Sequence, residues 1–108
     1  MTSQRSIRLN KIVCNEMNTL LHTVYRDVAK NISITEVNVS PDMRDAYIYF
    51  SVIGDDKDNA QKILMKHMSD LRRRLFDRVK IKFSPRLHFR HDISISRGQH
   101  ILDILDNL

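Results

Sequence analysis

At Ile32 the spacing of apolar residues changes, and that change restricts the chain to folds in which a helix leads into strands. Before it, Leu9, Val13, Met17, Leu20, Val24 and Val28 recur at steps of four and three. This spacing puts them on one face of an amphipathic helix of about six turns. After it, Ile32 and Ile34, then Val37 and Val39, recur at steps of two, as in a strand with one buried face. The two pairs slip by one residue at Glu36, which predicts a bulge or a late start. The helix should stop near Asn31, a residue tolerant of the left-handed backbone at a helix end. Its polar face, with Arg8, Lys11, Asn15, Asn18, His22 and Arg26, reads as solvated. Cys14 borders the apolar stripe as a small packed side chain.

Ser40, Pro41 and Asp42 then set a turn, with the proline fixing one backbone angle and the polar side chains capping it. A second strand places Ala46, Ile48, Phe50 and Val52 on one face and Tyr47, Tyr49 and Ser51 on the other, completing an antiparallel hairpin. Strand tyrosines commonly cover a sheet face without any ligand, and that reading is preferred here over stacking on bases. Gly54 ends the strand. Asp55, Asp56 and Asp58 suit the start of a helix, where carboxylates cap free N–H groups, and lack the ordered spacing of a calcium loop.

The next stripe, Ala60, Leu64, Met68, Leu71, Leu75 and Val79, is again helical. Residues 62 to 91 carry ten Lys or Arg against Asp70 and Asp77, a formal +8, whereas the other residues sum to −3. On one continuous helix Lys62, Lys66, Arg73 and Lys80 would share a narrow arc away from the stripe. Arg72, Arg74 and Arg78 would lie along its border and snorkel. A segment that buries one side and presents cations on the other suits a polyanion, nucleic acid before an anionic membrane surface. Lys80 to Phe83 alternate, Ser84 and Pro85 turn, and a last strand runs through Leu87 and Phe89 with Arg86, His88 and Arg90 on its other face. His88 and His91 fall on opposite faces, so they make poor partners for one metal. Residues 92–108 turn at Gly98 and read as a closing segment.

At 108 residues the chain is expected to form one domain, 1–108. A single cysteine allows neither an intramolecular disulfide nor a multi-cysteine zinc site. The opening residues lack the apolar core of a secretory signal, and no stretch approaches the ~18 apolar residues that span a bilayer, so a cytoplasmic protein is expected. The order is helix, strand, strand, helical region, strand; with the helical region broken it becomes α-β-β-α-α-β.

Several stretches resemble the ribosome-binding factor A family of bacterial small-subunit assembly factors. They are VNVSPDMRDAYIYFSVIG from Val37 to Gly54, and Leu71 to Ile101, with Leu71-Arg72, Pro85-x-Leu87-x-Phe89, Asp92-x-Ser94 and Gly98 before an Ile-Leu segment. Arg5-x-x-Arg8-Leu9 and the long first helix also fit. The resemblance implies an α+β fold, a KH-like domain of the bacterial (type II) topology with a three-stranded sheet packed on helices. The family joins its paired helices through a kinked Ala-x-Gly signature; the aligned residues here are His67, Met68 and Ser69, which lack both the alanine and the glycine. A break is still expected at 67 to 69, with Ser69 accepting the bend by other means, such as a side-chain hydrogen bond to the backbone.

The resemblance further implies a monomer that binds the immature 30S subunit and its 16S rRNA, near the neck and decoding region, without catalysis. It implies help in maturing the rRNA 5′ end and support of growth in the cold. No cofactor, metal, membrane or small-molecule substrate is expected. The cations expected to meet rRNA phosphates are Lys62, Lys66, Arg72, Arg73, Arg78, Lys80, Lys82, Arg86 and Arg90 with His88, and Arg5, Arg8 and Lys11 as a second patch. The rival readings are a KH-like module for another RNA, a nuclease and a protein adaptor. Five histidines with no recognisable triad, carboxylate pair or glycine-rich phosphate loop weigh against the nuclease.

Overall fold

The structure, a computed structural model, describes residues 4–54, 56–80 and 84–92, with side chains from residue 7 onward. Helix α1 (Gln4–Thr23) and a single turn of helix, α2 (Arg26–Ala29), lead into strands β1 (Ile32–Val39) and β2 (Asp45–Val52). Helices α3 (Lys57–Lys66) and α4 (Met68–Arg78) follow, then strand β3 (Arg86–His91). The fold is α+β. The three strands form one mixed sheet in the order β1-β2-β3, with β1 antiparallel and β3 parallel to β2.

The apolar stripes meet in one core on one face of the sheet. Val13, Met17, Leu20 and Leu21 of α1, Leu64 of α3, and Leu71 and Leu75 of α4 close over Ile34, Ile48, Phe50 and Phe89. Each large side chain buried this way contributes roughly 1.5–3 kcal/mol. The phase slip in β1 is a bulge. Ile34 pairs with Phe50 and Glu36 with Tyr49, so Thr35 is the extra residue, and burial resumes in the new phase at Val37 and Val39. At the hairpin Asp42 Oδ1 accepts from Ser40 Oγ at 2.7 Å and from the Arg44 N–H at 3.1 Å. Those bonds, Ser40's first, hold the Asp42 carboxyl below its usual pKa. Asp56 caps α3, its carboxylate accepting from the Asn59 N–H at 3.3 Å.

The first helix ends earlier than its spacing suggests. It stops at Thr23, and the Tyr25 N–H reaches back five residues to the Leu20 carbonyl at 3.1 Å. Tyr25 and Ala29 are buried beyond that turn, while Val24 and Val28, expected in the core, are 48% and 49% exposed. Nor is the polar face of α1 simply solvated. Asn10, Cys14, Asn18 and His22, four residues apart, bond to the free edge of β1. Asn10 Oδ1 accepts from the Val39 N–H at 2.9 Å. Asn18 takes both polar groups of Ile34, accepting from its N–H at 2.7 Å and donating to its carbonyl at 2.9 Å. Cys14 Sγ donates to the same carbonyl at 3.6 Å, and His22 Nε2 to that of Ile32 at 2.7 Å. Burial first, then the charge of Glu36, pushes the Cys14 thiol above its ordinary pKa, in keeping with a packed side chain.

Candidate nucleic-acid interface

The opposite margin of the sheet is β3, and there the basic residues gather. The Arg86 and Asp92 N–H groups donate to the carbonyls of Arg44 and Phe50 at 2.9 and 2.7 Å. Strand alternation therefore turns the backbone of Leu87 and Phe89 outward, away from β2. Helix α3 packs against this margin and bonds it through Gln61, whose Nε2 donates to the Phe89 carbonyl at 3.1 Å. Beside that contact runs a groove of about 420 Å³ between β3 and the α3–α4 corner, lined by Met65, Met68, Arg72, Arg86, His88 and Arg90 among others. Methionine gives such a groove an adaptable apolar floor, and three arginines border it.

The corner exists because the helical region breaks at His67. This residue sits at φ −101°, ψ 10°; its N–H donates to the Ile63 carbonyl, closing α3, and its carbonyl accepts from the Leu71 N–H, opening α4. The Tyr25 ring packs against the His67 imidazole with centroids 4.8 Å apart. Because His67 keeps a negative φ, no glycine is needed there. Ser69 does not accept the bend: it lies exposed in the first turn of α4.

The break divides the expected row of cations. Lys62 and Lys66 stand exposed on α3, Arg73 on α4, and Lys80 beyond the end of α4, after Val79 has turned extended. Arg72 is half-buried, with one guanidinium nitrogen, Nη2, bonded to the Ser84 carbonyl. It also lines a second groove, of about 460 Å³, with Arg73, Phe76 and Ser84. Several cations have acidic partners. Asp70 accepts from Arg73 at 2.6 Å and Arg74 at 2.8 Å, and these bonds, Arg74's first, hold its carboxyl below the usual range. Arg78 meets Glu16 of α1 at 3.4 Å, tying α4 to α1, and Arg86 meets Asp45 at 3.4 Å. Lys62, Lys66, Arg72, Lys80 and Arg90 have no carboxylate partner among the described residues. Exposed pairs are weak, so the paired arginines can exchange a carboxylate for a phosphate at little cost.

Arg8 and Lys11 are exposed on α1, and Lys11 lines a groove of about 620 Å³ between α1 and β1, on the other side of the sheet from Arg90. The structure thus keeps the second patch apart from the first. Lys82, the side chain of Arg5 and the closing segment from 93 lie outside the described residues. Three contributors were not found from the sequence. Gln61 looks like any polar helix residue, Met65 lies off the stripe, and Asp45, which anchors His88 and Arg86, is more than forty residues away from both. Only Met65 left a signal, an apolar residue on the exposed side of a helix. No helix among the described residues is long and apolar enough to cross a membrane.

Comparison with known proteins agrees over nearly the whole chain. The profile of the ribosome-binding factor A family matches residues 5–105. Ribosome-binding factor A of Opitutus terrae is 32% identical, over 98% of this chain and 88% of that protein. The Acetivibrio thermocellus protein of the same name is 33% identical, over 95% and 87%. Among structures, the crystal structure of ribosome-binding factor A from Thermus thermophilus superposes with a TM-score of 0.73 at 17% identity, covering 80% of this chain and 94% of that one. A Thermus thermophilus homology model fitted into the cryo-EM map of a 30S complex gives 0.62 at 18%, covering 86% and 97%. At such identity the likeness speaks for the fold.

Proposed function

Because the chain belongs to the ribosome-binding factor A family, we propose that it binds the small (30S) ribosomal subunit in the bacterial cytoplasm as an assembly factor. It acts as a monomer and without catalysis. In this reading the chain works as one KH-like RNA-binding unit over residues 1–108, contacts immature 16S rRNA and assists processing of its 5′ end. The observation that carries the reading is the family match over residues 5–105; the complex of the Thermus protein with 30S supports the choice of partner. The groove beside β3 supplies the chemistry. Lys62, Lys66, Arg72, Lys80 and Arg90 neutralise phosphates, with Arg73, Arg78, Lys82 and Arg86 joining as their carboxylate or solvent contacts exchange. Arg5, Arg8 and Lys11 form a second contact. The work asked of these residues is docking and shape fit, for which no group need turn over.

Sedimentation of the chain with isolated 30S subunits tests this. Comigration is expected at low salt, falling steeply as salt rises, because each neutralised phosphate releases counterions; with five contacts a doubling of salt costs roughly tenfold in affinity. Lys62→Glu with Lys66→Glu, both exposed and without carboxylate partners among the described residues, should weaken comigration at least tenfold and leave the thermal melt unchanged. Wild-type protein that stays at the top of the gradient at every salt would end the 30S reading. Equal competition by generic single-stranded RNA would favour a module for another RNA.

A further inference from the structure

The sheet has a second face, on which no helix among the described residues packs; at one end of it the Asp92 carboxylate accepts from the Thr35 hydroxyl at 2.5 Å. Residues alternating with the buried Ala46, Ile48 and Phe50 of β2 and Leu87 and Phe89 of β3 point there: Tyr47, Tyr49, Arg86, His88 and Arg90. Three of them are already stacked. The Tyr47 and His88 rings lie 5.0 Å apart, centroid to centroid, at an interplanar angle of 21°. The Arg90 guanidinium carbon is 5.0 Å from the centre of the Tyr47 ring. Asp45 fixes the group from one end, its Oδ1 accepting from His88 Nε2 at 2.7 Å.

We propose that this face is a docking platform for unpaired bases of a single-stranded RNA segment, with the His88–Tyr47–Arg90 stack as its rigid part and Tyr49 beside it. The proposal rests on the RNA-binding reading above and adds what the RNA presents. Aromatic rings and guanidinium planes are the surfaces on which unpaired bases stack, whatever their sequence. Rings held by Asp45 and Arg90 are ordered before the ligand arrives, so less side-chain freedom is lost on binding.

Charge sets the direction of the strand. Glu36, on β1 opposite Tyr49 in the register, would repel a phosphate along that margin of the face, and Asp45 on β2 is already paired with Arg86 and His88, whereas Arg90 on β3 has no carboxylate partner among the described residues and attracts one. The backbone therefore follows the β3 margin beside the groove, and the bases turn inward over Tyr49 and the outer surfaces of the His88–Tyr47–Arg90 stack. A duplex cannot do this, because its bases are stacked inside it, and an anionic bilayer would meet Glu36 and Asp45 as well as the arginines.

The test uses a short single-stranded RNA carrying one 2-aminopurine, whose fluorescence falls when the base stacks, and the same strand annealed to its complement. The full chain should quench the single strand and leave the signal of the duplex, already low because its bases are stacked, unchanged. Tyr47→Ala with Tyr49→Ala should remove the quench and weaken binding roughly 5- to 150-fold, the range for losing one stacked base. Tyr47→Phe with Tyr49→Phe should keep both, since the rings remain. Absence of quenching by the wild-type chain would overturn the proposal even if the alanine variant failed to fold. Crosslinking of a p-benzoylphenylalanine placed at position 49 to a ribosomal protein instead of rRNA would also overturn it, assigning the face to a protein partner. Unaltered salt-sensitive comigration with 30S in that event would leave the function reading standing; loss of comigration by the wild type would remove both.

Discussion

The two margins of one sheet are built in opposite ways. Along β1, helix α1 lies close enough for Asn10, Cys14, Asn18 and His22 to bond the strand's outward N–H and carbonyl groups. Along β3, helix α3 packs against the strand and bonds it through Gln61, and beside that contact runs a groove lined with methionine and arginine. An unpaired strand edge invites association with another strand. Short polar side chains remove that hazard at β1, whereas at β3 long charged ones leave the edge approachable while discouraging a second protein strand. The first margin holds the fold together, and the second, among the described residues, is open to a ligand.

The largest effect should come from breaking the closed margin. Asn18→Ala strips the Ile34 N–H of its side-chain partner in a half-buried place and leaves the carbonyl only the long contact from Cys14, and the loss should be about 1–3 kcal/mol in urea unfolding. Affinity for 30S, measured well below the new melting temperature, should stay within about twofold, since no phosphate contact is touched. A drop in affinity equal to that of the α3 charge reversal would mean that the two margins are not separate in function.

Much of this arrangement was legible beforehand, and the exceptions have physical causes. The bulge at Thr35 showed as a phase slip because a strand's period of two leaves no other way to bury Ile34 and Val37 together. Val24 and Val28 continue the stripe of α1 only if the helix runs on unbroken; the turn that ends α1 at Thr23 shifts the phase by one residue and buries Tyr25 and Ala29 instead. Asn18 and His22 could not be recognised as edge partners, because that role depends on how β1 lies against the helix, a tertiary fact with no local signature. The groove lay partly hidden for the same reason. Its cations were legible as a charge excess, but Asp45, Glu16 and Asp70 divide them into paired and unpaired sets only once the chain has folded.

A smaller effect probes the corner that opens the groove. The resemblance expects the bend at Ser69, yet Ser69 lies in the first turn of α4 while His67 carries the break. Ser69→Gly should therefore not relieve strain. It should destabilise the domain by about 0.5–1 kcal/mol, the ordinary cost of glycine in a helix, and leave the groove and 30S binding intact. A stabilised variant would show that the bend falls on Ser69 after all.

The smallest effect is one of pH at the open margin. Asp70 has a depressed pKa in the folded chain because Arg74, and next Arg73, hydrogen-bond its carboxylate. A depressed carboxyl binds fewer protons folded than unfolded, so its contribution is complete above the unfolded value of about 3.9 and is lost as pH falls through the folded one. Asp70→Asn should flatten the acid limb of the stability curve below pH ~4 and change little at neutrality, where exposed pairs contribute least. The same substitution frees Arg73 and Arg74 and removes one negative charge beside them. If phosphates dock there, affinity for 30S should rise roughly twofold at low salt and return to the wild-type value as salt screens the change in charge. A weaker complex would mean that Asp70 holds the two arginines in the geometry the ligand needs, and the paired cations would then count as positioned contacts.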